Sequence, residues 1–300
     1  MEEFKSGFVT LVGRTNVGKS TLLNALVKEK VAITADKVQT TRTAIKAILN
    51  DEKYQIIITD TPGIHKPKTK LGETMVDTAF TMFSEVDVIL FLIEATSDEI
   101  GRGDRRILDK IIESKKPCIL VINKIDLVQK DKLLNLIKLY SQEYNFSAVV
   151  PISASKEDGT ELIIEELVKL MPNGPKYYAD DEYTDQTMRQ MAEEIIREKA
   201  LKLLDDEVPH GIYVEVESFK DRLTTKGQEI YDIDATIYCI RESHKGIIIG
   251  KGGNMLKRIS TFARQDLEKM LDTKVNLKVW VKVKEDWLEK ENIVNKFKLK

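Results

Sequence analysis

The sequence predicts two consecutive domains: an α/β domain on a mostly parallel sheet with helices on both faces, then a smaller α+β domain. Two observations predict this. Up to about residue 171, apolar strand-like runs alternate with longer helical patterns, as parallel strands joined by crossover helices require. Beyond about residue 184 the order changes to α, β, β, α, α, β, α, which suits a three-stranded sheet with helices on one face.

In the first domain (residues 1–171) the strands are GFVTLVG, YQIIITD, DVILFLIEA, PCILVINK and SAVVPIS, each followed by a helical pattern. TAIKAILND and YQIIITD are separated by only a short break, so these two form an antiparallel pair at one edge. Residues 172–183 fall within MPNGPKYYADDEYTDQ, rich in Pro, Gly and Asp, and read as a linker. The second domain (residues 184–300) opens with the helix TMRQMAEEIIREKALKLLDDE. The strands GIYVEVESFKD and IYDIDATIYCIRE follow, then two helices meeting at a glycine turn, the strand NLKVWVKVKED and a last helix.

Composition narrows the function classes. Three hundred residues, 42% of them hydrophobic, supply two cores of ordinary size. No window approaches the roughly 18 to 20 apolar residues of a membrane span, and MEEFKSGFVTLVG lacks the basic start and cleavage site of a signal peptide. A cytoplasmic monomer is expected. Cys118 and Cys239 lie far apart in apolar strands and read as buried hydrophobes, not as a disulfide. His65, His210 and His244 show no ligand spacing, which argues against zinc. The net charge of −2 hides an asymmetry: residues 244–300 carry 14 Lys plus Arg against 7 Asp plus Glu, so a polyanionic partner belongs at that end.

The chemistry begins with GRTNVGKS, residues 13–20, between the strand FVTLV and the helix STLLNALV. This is the phosphate-loop pattern in the context it needs. Gly13, Arg14, Thr15, Asn16, Val17, Gly18, Lys19, Ser20 and Thr21 present backbone amides and a helix N-terminus to phosphates, and Lys19 adds a cation between the β and γ positions. Ser20 offers its hydroxyl to Mg²⁺.

NKID at 123–126 selects the base. It ends the strand CILVI, where open α/β sheets bind ligands. Asp126 accepts two hydrogen bonds from the guanine N1–H and N2 amine, donors that adenine lacks on that edge, and Lys124 lays its stem over the ring. Asn123 braces the phosphate loop. Ser153, Ala154 and Ser155 follow the next strand, with the Ala154 amide in reach of guanine O6. DTPG at 60–63 supplies Asp60, which holds Mg²⁺ through water, and Gly63, which offers its amide to the γ-phosphate. QTTRT at 39–43 is the expected first switch. One of Thr40 and Thr41 coordinates Mg²⁺, with Thr41 favoured. The motifs imply a site that binds GTP and GDP with Mg²⁺, and Lys19, Thr41 and Gly63 as candidate catalytic residues; Asn16 joins them only through the resemblance given below. Ile64 stands where many small GTPases carry a water-orienting glutamine, so slow intrinsic turnover is expected.

In the second half, GKGG (Gly250, Lys251, Gly252, Gly253) opens a helix whose Leu256, Ile259, Ala263, Leu267 and Met270 keep helical spacing. Glycines admit a nucleic-acid backbone and Lys251 adds charge. This is similar to the GxxG loop of KH domains, which clamps about four nucleotides. Ile248 and Ile249 either pack under bases or join the core, and Trp280 and Trp287 are expected to be structural.

The strings NVGKSTLLN, QTTR, DTPGIHKPK, NKID and MAEEIIREK together resemble the Era branch of the translation GTPases over essentially the whole chain. Thr15 departs from the proline usual there. The resemblance implies a P-loop NTPase fold followed by a type II KH domain. It also implies binding of 16S rRNA near its 3′ end and a role in maturation of the small (30S) ribosomal subunit. It gives Asn16 a role in holding K⁺ in place of an arginine finger; a loop-capping role for the same side chain is the alternative. A rival class, a GTPase of cell-cycle signalling peripheral to the cytoplasmic face of the membrane, rests on the basic C-terminal helix.

Overall fold

The structure is a computed structural model. It describes residues 3–35, 37, 40–64, 67, 69–205, 207–225 and 227–294. Gln39, His65, Lys66 and Lys68 of the motif strings lie outside these, as do residues 295–300 of the basic C-terminal end. The chain divides into two compact units.

The first unit comprises residues up to Ala32 and Thr41–Asp185. Its six-stranded sheet is formed by β1 (Lys5–Val12), β2 (Ile45–Asn50), β3 (Tyr54–Asp60), β4 (Val88–Glu94), β5 (Cys118–Asn123) and β6 (Ala148–Pro151), in the order β2-β3-β1-β4-β5-β6. All neighbours run parallel except β2 and β3, the antiparallel edge pair expected from the short break between them. Alternation along each strand divides the core. Leu11, Leu90, Leu92 and Val121 point to one face, against Leu22, Leu23 and Leu26 of α1 (Lys19–Val27) and Ile163 and Leu167 of α5 (Thr160–Leu170). Val12, Phe91, Leu120 and Ile122 point to the other, against α2 (Lys70–Glu85), α3 (Arg102–Ser114) and α4 (Lys130–Glu143). Strands covered on both sides must be apolar throughout, which is why their sequences read as unbroken hydrophobic runs.

The segment read as a linker pairs with this unit. Gln55, fully buried, accepts the Tyr177 and Tyr178 amides at 2.6 and 3.0 Å, and Asn50 Nδ2 donates to the carbonyls of Ala179, Asp180 and Glu182. The Ile48 amide donates to the Tyr183 carbonyl at 3.0 Å, so two side-chain amides and the β2 edge satisfy backbone that composition alone marks as loose.

The second unit comprises Gln186–Val294 together with Ile33–Thr40. It holds α6 (Met188–Leu203), β7 (Tyr213–Leu223), β8 (Glu229–Cys239), α7 (Glu242–Ile249), α8 (Asn254–Met270), β9 (Lys274–Val283) and the short α9 (Glu291–Val294). The sheet order is β7-β8-β9, with β7 and β8 antiparallel and β8 and β9 parallel. α6, α7 and α8 contribute Ile196, Ile248, Ile259, Ala263 and Leu267 to one core with the inner sheet face. Thr34 and Thr40 are held to α6 by two charged residues. Glu198, with no exposed surface, accepts the Thr34 amide at 3.1 Å, and Arg197 donates to the Thr40 carbonyl. Trp287 is fully buried and donates Nε1–H to the Gly211 carbonyl at 2.9 Å. Trp280 departs from the expected structural role: it is 45% exposed on the edge strand β9, on the face that alternation turns away from the helices. Both cysteines are buried and free.

Candidate functional site

The phosphate loop leaves β1 at Gly13 and enters α1 at Lys19. Gly18 has φ +99°, a left-handed conformation, and a Cβ there would strike the Asn123 side-chain amide. Gly63, at the end of β3, leaves no room for a side chain either: a Cβ would stand 2.9 Å from Thr15 Cα. Glycine is required at both positions by close approach between motifs that are far apart in sequence.

Lys19 is 6% exposed and donates to the carbonyls of Gly13 and Arg14 at 3.3 and 3.1 Å. Burial pushes its ammonium below the usual lysine range, with Asp60 opposing the shift. A buried cation satisfied only by carbonyls gains from an approaching phosphate. Beside it the Ser20 hydroxyl donates to Asp60 Oδ2 at 2.7 Å and lies 2.9 Å from the Thr41 hydroxyl, which itself stands 3.2 Å from Asp60 Oδ2. Asp60 Oδ1 is buried without a hydrogen-bond partner, and burial pushes the carboxyl up despite Lys19, Ser20 and Thr41. Two hydroxyls and a carboxylate whose second oxygen is buried and unpartnered form a hard-oxygen donor set that fits Mg²⁺. Of the two switch threonines, Thr41 belongs to this set; the Thr40 hydroxyl donates to the carbonyls of Ala35 and Lys37.

The base end is built on β5. Asn123 donates from Nδ2 to the Val17 carbonyl at 2.8 Å and accepts the Ala154 amide on Oδ1 at 2.9 Å, tying the phosphate loop to the loop after β6. The Ala154 amide, expected to face guanine O6, here satisfies the buried Asn123 oxygen. Asp126 accepts the Ser153 hydroxyl at 2.8 Å and stands 3.4 Å from the Lys156 ammonium; the Ser153 bond first, then Lys156, holds its carboxyl below the usual range. It is therefore an ionised double acceptor, the form that recognises N1–H and N2–H. The Ser155 hydroxyl lies 3.5 Å from that of Ser153. Lys124, at φ +65°, donates to Glu94 at 2.8 Å and to the Asn16 carbonyl at 2.9 Å. The Asn16 side chain is exposed, at φ +64°. Ile64 is buried in the core and its amide donates to the Gly13 carbonyl, which leaves nothing at that position to orient a water. The sequence therefore brings all its predicted nucleotide residues to one edge of the sheet. It missed Glu94 and Asp104, acidic residues outside every motif, which contact Lys124 and Arg14.

In the second unit, Gly250, Gly252 and Gly253 all have positive φ, at +71°, +61° and +79°. A Cβ on Gly250 would lie 2.7 Å from that of Met255, whereas nothing approaches Gly252 or Gly253 within 4 Å. Lys251 and Gly252 are exposed, and Lys257 and Arg258 present further exposed cations on the first turns of α8. Ile248 is fully buried, which assigns it to the core. Exposed glycine backbone at a helix start beside three cations suits a phosphate backbone. Lys257 and Arg258 were legible only as charge within a helical pattern.

Residues 8–124 match the family described as 50S ribosome-binding GTPase, and residues 207–288 match the KH domain family. The chain is 55% identical to GTPase Era of Caldanaerobacter subterraneus subsp. tengcongensis, over 98% of this chain and 97% of that protein. It is 52% identical to GTPase Era of Clostridioides difficile, over 98% of both. Among solved structures, Era in complex with MgGDPNP and nucleotides 1506–1542 of 16S ribosomal RNA superposes with a TM-score of 0.93 at 40% identity, covering 98% of both chains. An Aquifex aeolicus Era variant bound to GDP and AlF4⁻ superposes equally well at 39% identity, over 98% of this chain and 99% of that one.

Proposed function

The chain belongs to the Era family of GTPases, and from that premise we propose that it is a GTP-driven switch that binds 16S rRNA near its 3′ end and assists maturation of the small ribosomal subunit. The observation that carries the reading is the presence in one chain of two preformed sites. One is a buried Lys19 beside the Ser20, Thr41 and Asp60 oxygens; the other is an exposed glycine loop flanked by Lys251, Lys257 and Arg258. An Era structure of the same fold was solved with MgGDPNP and a 16S rRNA fragment together, which supports both halves.

Each residue has a role that its position supports. Asp126 accepts the guanine edge, Lys124 covers the ring, and the amides of the loop from Gly13 to Thr21 cradle the β-phosphate. Lys19 exchanges its two carbonyl partners for phosphate oxygens. Ser20 and Thr41 would ligate Mg²⁺ directly and Asp60 through water, and the bound cation neutralises charge that develops between the β and γ oxygens. Gly63 gives the chain freedom to move its amide to and from the γ-phosphate. With Ile64 unable to place a water, the exposed Asn16 side chain would hold K⁺, which would supply positive charge to the reacting phosphates. GTP then orders the first switch through Thr41, the GKGG loop grips RNA, and hydrolysis releases the grip.

The test is turnover with and without RNA from the 3′ end of 16S rRNA, alongside binding to vesicles of anionic lipid. Rate or affinity that responds to RNA and depends on the GKGG loop supports the proposal. Vesicle binding indifferent to that loop, with no RNA response, would favour the rival reading of a membrane-peripheral GTPase. No helix among the described residues is long and apolar enough to cross a membrane.

A further inference from the structure

Arg14 occupies the second position of the phosphate loop, where most of the chemistry is done by backbone. Its side chain nonetheless has three partners. Nε lies 3.0 Å from each carboxylate oxygen of Asp104, and the terminal nitrogen donates to the Ser97 hydroxyl at 3.2 Å and lies 3.7 Å from Glu94 Oε1. Asp104 has no exposed surface, although it sits in the first turn of α3, where a carboxylate is favoured by the helix dipole. Burial pushes its carboxyl up, and Arg14 is the main influence pulling it back. Room for the Arg14 stem comes from Gly103, since a Cβ there would stand 2.8 Å from Arg14 Cδ.

The network continues to the base end. Glu94 uses its other oxygen for Lys124 at 2.8 Å, and Lys124 returns to the loop by donating to the Asn16 carbonyl at 2.9 Å. At the phosphate end, the Arg14 carbonyl accepts from Lys19 at 3.1 Å. Two cations and two anions are thus arranged Asp104, Arg14, Glu94, Lys124, with Arg14 itself part of the phosphate loop and Lys124, of NKID, bonded to the loop backbone at Asn16.

Resting on the nucleotide site proposed above, we propose that Asp104 and Glu94 are positioning residues for it, linking the phosphate loop to the base-recognition loop so that both ends are held in binding geometry together. The physical reason is a serial linkage: Asp104 fixes the Arg14 guanidinium, Arg14 helps to fix Glu94, and Glu94 holds Lys124, so loss of Asp104 or of Arg14 breaks the same chain. Damage at α3 therefore reaches the guanine end without any direct contact to it. The side chains of Arg14, Glu94 and Lys124 are about a quarter to a third exposed, so solvent screening limits the effect.

The experiment measures dissociation of a fluorescent GDP from the full-length wild type and from Asp104→Asn, Arg14→Ala, Glu94→Gln and the double variant Asp104→Asn/Arg14→Ala, with thermal unfolding of each in the absence of nucleotide. Asp104→Asn and Arg14→Ala are each expected to speed release about tenfold, and the double variant no more than either alone, because the second change removes a partner already lost. Glu94→Gln is expected to weaken preference for GDP over IDP as well, since it releases Lys124. A purely structural role would lower the unfolding temperature in proportion to release and would give additive effects. Wild-type release from a folded Asp104→Asn protein, or additivity in the double variant, overturns the inference. Should Asp104→Asn fail to fold, Arg14→Ala, whose side chain is partly exposed, decides: unchanged release refutes the linkage. A wild type that holds no guanine nucleotide overturns the proposed function itself, and this inference with it.

Discussion

Replacing Lys251 and Gly252 together by aspartate tests the assignment of the RNA clamp. The first change reverses a charge and the second adds one, three units in all, at adjacent exposed positions. A phosphate about 6 Å away interacts with each unit by about 0.7 kcal/mol in water, or about 2 kcal/mol for three. A Debye length of about 8 Å removes roughly half of this at physiological salt, and about twice the interaction survives if the phosphate comes within about 4 Å. The expected loss is therefore about 1 to 2 kcal/mol, or about tenfold in affinity. The fold should tolerate the pair. Nothing lies within 4 Å of a Cβ on Gly252, and aspartate is among the few residues that visit its left-handed conformation, at roughly 1 to 2 kcal/mol. Gly250 is different, because its Cβ would collide with Met255, so Gly250→Ala is the destabilising control. Fluorescence anisotropy with a 16S 3′-end RNA at several salt concentrations should show weaker binding and a shallower salt dependence, with GDP affinity unchanged and the unfolding temperature shifted by only a few degrees. A folded double variant with wild-type RNA affinity and salt slope would place the clamp elsewhere.

Three further outcomes follow from the same geometry. Asp126→Asn should weaken GTP by about a hundredfold or more and gain xanthosine triphosphate, because the amide keeps an acceptor for Ser153 while turning a donor toward the altered base edge; competition binding with the two nucleotides decides, and undiminished GTP affinity counts against the assignment. Hydrolysis should run faster in potassium than in sodium at equal ionic strength, and Asn16→Ala should erase the difference, whereas equal rates in both salts would remove the ion from the account. Burial pushes the Cys118 thiol far up, so it stays protonated at neutral and moderately alkaline pH. Native protein should therefore resist iodoacetamide at Cys118 even at about pH 9, where an ordinary thiol with a pKa of about 8.5 would be mostly thiolate, and should react only on unfolding; mass spectrometry of the labelled peptide reads this directly.

The parts of the site legible in the sequence are those in which local backbone geometry is itself the function. A strand, a turn with glycine at +99°, and a helix start occupy consecutive residues, so GRTNVGKS carries its structure within itself. The same is true of the glycines at 250, 252 and 253, whose positive φ values favour that residue type. The antiparallel edge pair was likewise set by a short break between two strands. What stayed hidden depends on partners brought close by the fold. Asp104 lies in GRGDRR, a string that reads as an exposed helix start, and Glu94 in IEA, an ordinary strand end; each acquires its role from Arg14, 90 and 80 residues away. Nothing in the composition of residues 172–183 shows that Gln55 and Asn50 wait to satisfy their backbone.

The segment Ile33–Thr40 makes the same point at the scale of a domain. It lies between the phosphate loop and DTPG, so sequence order places it in the first domain, yet its packing assigns it to the second. The reason lies in α6, where Arg197 and Glu198 are adjacent and almost fully buried, as charged residues seldom are without partners. They find those partners in Glu194, in Lys199 and Lys202, and in the backbone at Thr34 and Thr40, so the segment helps to satisfy charges that α6 cannot leave bare. Thr41, one peptide bond further, turns its hydroxyl to Asp60. A single residue boundary therefore separates backbone committed to α6 from a side chain committed to Asp60. Any displacement of Thr41 when GTP is hydrolysed must be absorbed at that boundary or passed to the Arg197 contact. On this reasoning Arg197→Ala should alter how strongly RNA binding responds to GTP against GDP while leaving the guanine preference set by Asp126 intact, and identical RNA affinities across both nucleotides in variant and wild type would show that the strain is absorbed locally.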